Sequence, residues 1–148
     1  MKIGITGGIG SGKSYVSKLL NRRGINIYDC DDAAKRIMKT SNSVQEKLIN
    51  LLGNDIFING TLNKEKMTEF LLASEENTRR INEIVHPEVA QDFISSGYEW
   101  MECAILFESD FDCLVDKKIL ISAPIEIRIE RIMERNNISR SKALEWIQ

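Results

Sequence analysis

Gly7, Gly12, Lys13 and Ser14 follow the spacing G-x-x-x-x-G-K-[ST], an arrangement suited to holding a polyphosphate. Five of the nine glycines in the chain fall between Gly4 and Gly12. Without β-carbons, successive backbone N–H groups can turn toward an anion, and a helix starting behind them adds its positive N-terminal end. Gly8, Ile9, Gly10, Ser11, Gly12, Lys13, Ser14 and Tyr15 are therefore the candidate nucleotide-binding residues. Lys13 would reach the β- and γ-phosphates, and the Ser14 hydroxyl would bind Mg²⁺.

A phosphate loop identifies a nucleotide and leaves the reaction open. No guanine-reading N-K-x-D is present, which argues against a regulatory GTPase. The usual apolar run ending in a magnesium-holding Asp is also missing; its nearest equivalent is Glu102, a candidate metal or water ligand or else a strand-end surface carboxylate. Asp29, Asp31 and Asp32 follow an apolar strand, at the edge where open α/β sheets bind ligands. Asp31 or Asp32 could cap a helix beginning at Ala33. An alcohol attacking a γ-phosphate, however, needs a carboxylate to accept its proton, and Asp31 is the candidate general base. His86, just before Pro87, reads as a helix-junction histidine or a substrate contact, and Glu108 as a solvated strand-end charge. Arg131, Arg135 and Arg140 form either one solvated helix face or movable arginines that neutralise a transferred phosphoryl.

Alternating strands and helices must position these groups, which implies an α/β fold with a largely parallel sheet. "KIGIT" (2–6), "INIYD" (25–29), "YEWMECAIL" (98–106) and "KKILISA" (117–123) read as strands. After Lys13, Val16, Leu19 and Leu20 share a helical face that stops at Arg22, Arg23 and Gly24. Ser43 and Glu46 fit a capping box ahead of Val44, Leu48, Leu51 and Leu52, with Gly53 closing that helix. Residues 64–94 are helical in pattern, with a new helix expected at Pro87. Pro124 opens a helix carrying Ile125, Ile129, Ile132 and Met133, and a last helical pattern runs from Ser139 to Gln148.

The bounds are those of an ordinary globular chain. Its 148 residues suit one domain, 43% being hydrophobic and 28% charged. A net charge of −2 gives no basic field for nucleic acid, and no apolar run reaches the roughly 18 residues of a membrane-spanning helix. Cys30, Cys103 and Cys113 are odd in number and form no C-x-x-C pair, which suits reduced thiols in the cytoplasm.

Nearly the whole chain resembles the dephospho-coenzyme A kinases. "GITGGIGSGKS" looks like that family's start, and "YDCDDAAKRI" is similar to its D-x-D segment, with Asp31 as second aspartate. "NGTLNKEKM" stands where the family has D-G-x-L-x-R, and "RRINEIVHPEV" carries its His-Pro pair. "ECAILFES" resembles its D-x-P-L-L-F-E with Glu108 kept, and "SAPIEIRIERIMERNNIS" resembles its lid entrance, with Arg128 where Gln is usual. Tyr15 replaces a usual Thr, and Trp146 a frequent Arg.

The resemblance implies transfer of the ATP γ-phosphoryl to the ribose 3′-hydroxyl of dephospho-CoA, with Mg²⁺. Asp31, Lys13, Arg135 and Arg131 would be catalytic; Asp31, His86 and Glu108 would bind substrate; Ser14 and Glu102 would hold the metal. It also implies a three-layer P-loop sheet like that of nucleoside monophosphate kinases, in strand order 2-3-1-4. The expected division is a core of 1–30 and 97–124, a helical substrate-binding insertion over 31–96, and a partial lid over 125–148. Family members continue with more lid helix, a last strand and adenine-holding residues, so a C-terminally truncated form is expected. The alternatives are another small-metabolite or nucleoside monophosphate kinase, or a non-catalytic nucleotide-binding fragment.

Overall fold

The computed structural model describes residues 1–148, which fold as two compact units. The first comprises Met1–Asp29 and Tyr98–Gln148, the second Cys30–Gly97.

The first unit is built on a parallel four-stranded sheet. Its strands are β1 (Ile3–Thr6), β2 (Ile27–Asp29), β5 (Trp100–Glu102) and β6 (Lys117–Leu120), in spatial order β2-β5-β1-β6. Counted along the sheet-forming strands alone, this is the expected 2-3-1-4. Pairing on both sides makes β1 central, and its Gly4, Ile5 and Thr6 are buried, whereas every residue of the edge strand β6 is exposed. Ile5, Met101 and Leu106 are fully buried in this unit.

Helix α1 (Lys13–Arg22) follows the glycine loop. Its inward row is Lys13, Val16, Ser17 and Leu20, so Leu19, expected inside, is instead exposed. Helices α6 (Ile125–Asn136) and α7 (Arg140–Ile147) end the unit, joined through a core of Ile129, Ile132 and Ala143. Arg140 is on α7 and pairs with Glu126, both nitrogens bonded at 2.8 Å, so it shares no helix face with Arg131 and Arg135.

Strand β5 is shorter than "YEWMECAIL" suggests. Cys103 N–H still reaches the Ile5 carbonyl at 2.9 Å, but the chain then turns, Ser109 N–H closing on the Ile105 carbonyl at the same distance. Ile105 and Phe107 are exposed there. An apolar run by itself does not distinguish a strand from a turn that buries only Leu106.

The second unit holds α2 (Cys30–Thr40), α3 (Asn42–Leu52), a hairpin of β3 (Phe57–Ile58) and β4 (Thr61–Leu62), α4 (Lys64–Ala73) and α5 (Glu75–Ser96). Its core includes Ala33, Ile37, Val44, Leu48, Ile56, Met67, Ile81, Val85, Val89 and Phe93.

Three expected boundaries move. Ser41, and not Ser43, caps α3, its hydroxyl accepting from Val44 N–H at 3.3 Å. The break within 64–94 falls at Ser74, which caps α5 by accepting from Asn77 N–H at 3.1 Å. Pro87 lies inside α5 and starts nothing, because Ile81, Val85, Val89 and Phe93 continue one buried stripe at four-residue spacing across it. That stripe outweighs the hydrogen bond proline cannot donate. Finally, α2 begins at Cys30, so Asp31 and Asp32 occupy its first turn and do not cap a later start; carboxylates there complement the helix dipole.

No helix is long and apolar enough to cross a membrane.

Candidate active site

The loop between β1 and α1 is shaped by close approaches that a β-carbon would block. One on Gly7 would lie 2.5 Å from the Ile121 carbonyl oxygen and 2.7 Å from Ser11 Oγ. Gly10 has φ +76°, and its β-carbon would meet the Arg128 carbonyl oxygen at 2.8 Å. Among the loop amides only Ser11 N–H is used internally, donating to the Gly8 carbonyl at 3.1 Å. The N–H groups of Gly8, Ile9, Gly10 and Gly12 have no protein acceptor. The first N–H groups of α1, from Lys13 on, cannot bond within their own helix. Free donors gathered at a helix N-terminus are the arrangement that suits an anion.

Glu102 organises the adjacent side chains. Its Oε1 accepts from Lys13 Nζ at 3.3 Å and from Ser14 Oγ at 3.2 Å. The Lys13 and Glu102 side chains are only 15% and 12% exposed, so removing either would leave a shielded charge without its partner. Register places Glu102 beside both Ile5 and Asp29 at the C-terminal end of the sheet. Asp29, Glu102 and Ser14 line a cavity of about 320 Å³ together with Ser17, Lys18, Asn21 and Ile27. The last residues escaped the sequence reading, although Ser14, Ser17, Lys18 and Asn21 recur at helical spacing, which is the signal that could have found them. The Ser17 hydroxyl is buried with no hydrogen-bond partner, as is that of Ser11.

Helix α6 brings two arginines onto the loop. Arg131 Nη1 donates to the Gly10 carbonyl at 3.0 Å, and Arg128 Nε to the Ile9 carbonyl at 2.9 Å. Arg128, Arg131 and Arg135 lie at i, i+3 and i+7, a face hidden when Arg140 is counted in place of Arg128. Arg135 Nε bonds its neighbour Asn136 at 3.0 Å. Tyr15 is 67% exposed at the start of α1. Glu108 is exposed on the turn after β5.

The first unit thus brings together Lys13, Ser14, Glu102 and the loop, with Arg131 on the loop's carbonyl side. Asp31 and His86 belong to the second unit. Asp31 lies in the first turn of α2, two residues past the end of β2. His86 lies midway along α5, partly buried, and desolvation holds its imidazolium below the ordinary value of 6.5.

Ser14 Oγ and the Glu102 carboxylate are hard oxygen donors that fit Mg²⁺, which keeps several waters and shares phosphate oxygens. No group of three or more His, Cys, Asp or Glu residues could hold a metal unaided.

A model of the dephospho-CoA kinase family matches residues 1–148. The chain is 38% identical to the dephospho-CoA kinase of Bacteroides fragilis, covering 100% of this chain and 76% of that protein. It is 42% identical to that of Porphyromonas gingivalis, covering 93% and 71% respectively. A Thermus thermophilus crystal structure superposes with a TM-score of 0.82 at 29% identity, over 99% of this chain and 78% of that one. The dephospho-CoA kinase structure from Campylobacter jejuni shares the fold, with a TM-score of 0.62 at 20% identity over 98% and 78%. With a family model matching its whole length and relatives this similar, the chain belongs to the dephospho-CoA kinase family.

Proposed function

We propose that this chain phosphorylates the ribose 3′-hydroxyl of dephospho-CoA with ATP, yielding coenzyme A and ADP. The observation that carries the reading is the loop of unpaired N–H donors with Lys13 and Ser14 converging on Glu102. Loop amides and Lys13 hold the β- and γ-phosphates, where fixed donors need no reorganisation as charge shifts. Asp31 accepts the proton of the attacking hydroxyl. The new bond joins the 3′-oxygen to the γ-phosphorus, and the bond to the β,γ-bridging oxygen breaks, releasing ADP. Arg131 and Arg135 steady the charge on the transferred group, and His86 and Glu108 contact the acceptor. Ser14 and Glu102 would hold Mg²⁺, which when bound neutralises charge on the phosphate oxygens. We place the enzyme in the cytoplasm, a reading supported by three free thiols.

The test offers purified protein MgATP with either dephospho-CoA or AMP and follows ADP and acceptor product by chromatography. Stoichiometric formation of coenzyme A is expected. Preferential phosphorylation of AMP would overturn the assignment.

A further inference from the structure

We propose that Arg128 is a positioning residue for the phosphate loop: its bond to the Ile9 carbonyl orients the Ile9–Gly10 peptide so that the Gly10 N–H is presented to the nucleotide phosphates. The inference rests on the kinase reading above for the identity of the ligand. Arg128 is half-buried and donates from Nε to the Ile9 oxygen at 2.9 Å. A trans peptide is planar and carries its C=O and N–H on opposite sides, and this chain has no cis peptide bond. Drawing the Ile9 carbonyl toward Arg128 therefore turns the Gly10 N–H to the far side, where it has no protein acceptor. Glycine on one side of that peptide leaves the plane free to rotate unless something holds it.

The loop is also moulded around this arginine. A β-carbon on Gly8 would collide with the Arg128 guanidinium, and one on Gly10 with the Arg128 backbone. The anchor is rigid, because Ile129 and Ile132, 1% and 0% exposed, fix that turn of α6 in the core. No carboxylate pairs with Arg128, so no acidic side chain competes with the Ile9 carbonyl for its donors. Arg131 treats the next carbonyl alike, but the N–H of that peptide, on Ser11, is already bonded to Gly8. Arg128 thus sets a donor that a phosphate can use.

Arg128→Met keeps the aliphatic stem and removes the donors, whereas Arg128→Gln keeps one N–H at similar reach. Mg-ADP affinity is measured by titration calorimetry on the full-length protein, beside KM for ATP and for dephospho-CoA. Loss of a charge-assisted bond predicts about tenfold weaker ADP binding for Arg128→Met and a loss within about threefold for Arg128→Gln. The KM for ATP should rise in step, while that for dephospho-CoA stays within about twofold. Equal ADP affinity of the methionine variant and the native protein would overturn the proposal. A glutamine variant as weak as methionine would also overturn it, since charge and not the bond to Ile9 would then matter. So would equal shifts in both KM values with a lowered melting temperature, the pattern of a merely structural residue. ADP affinity does not depend on the acceptor, so absent turnover with dephospho-CoA would refute the kinase reading and leave the Arg128 comparison readable.

Discussion

Replacing Gly10 by alanine separates what the loop asks of backbone conformation from what it asks of space. Gly10 and Gly24 both have positive φ, +76° and +85°, and both lie in the first unit. A β-carbon at Gly24 would meet nothing within 4 Å, whereas at Gly10 it would lie 2.8 Å from the Arg128 oxygen and 3.2 Å from Ile132 Cγ1. The left-handed conformation costs an alanine about 1–2 kcal/mol, and crowding against a packed core adds roughly 1–2 kcal/mol at Gly10 alone. Gly24→Ala should then lose about 1–2 kcal/mol and Gly10→Ala about 2–4 kcal/mol. At ~3 °C per kcal/mol for a chain of this size, the melting temperature should fall by roughly 3–6 °C and roughly 6–12 °C. Thermal unfolding by circular dichroism reads both, and an ADP titration should show weakened binding only for Gly10→Ala, whose loop must shift. A Gly24→Ala variant as unstable as Gly10→Ala, or a Gly10→Ala variant with native ADP affinity, would show that space around Gly10 does not constrain the loop.

Asp31→Asn should lower turnover by ~10²–10⁴-fold with ADP affinity little changed, and near-native turnover would remove Asp31 from the role of base. His86, held below 6.5 by desolvation, takes up fewer protons folded than unfolded, so its contribution is fully present above 6.5 and declines as pH falls below it. The native protein should therefore lose more melting temperature than His86→Gln between about pH 7.5 and about pH 5.5, and parallel curves would contradict this. Ser41→Ala should cost about 1 kcal/mol through loss of the α3 cap, while Ser43→Ala, exposed inside the helix, should stay within about 0.5 kcal/mol. Denaturant unfolding of the two variants decides between the capping positions.

The sequence alone determined the features written in local spacing. G-x-x-x-x-G-K-S specifies a loop between strand and helix because glycine's conformational range and the free N–H groups of a helix start are properties of neighbouring residues. Alternating strands and helices imply parallel pairing, whereas the order β2-β5-β1-β6 was implied only by the family resemblance. Tertiary structure decided what depends on residues far apart in the chain. Glu102 is an ordinary strand-end carboxylate until β5 pairs with β1 and sets it against Lys13 and Ser14. Arg128 reads as one more charge on a helix until α6 returns across more than a hundred residues to the Ile9 carbonyl. The same reason moved the helix break from Pro87 to Ser74. A proline's local cost is visible in sequence, but the burial of Val85, Val89 and Phe93 that outweighs it exists only once α5 is packed.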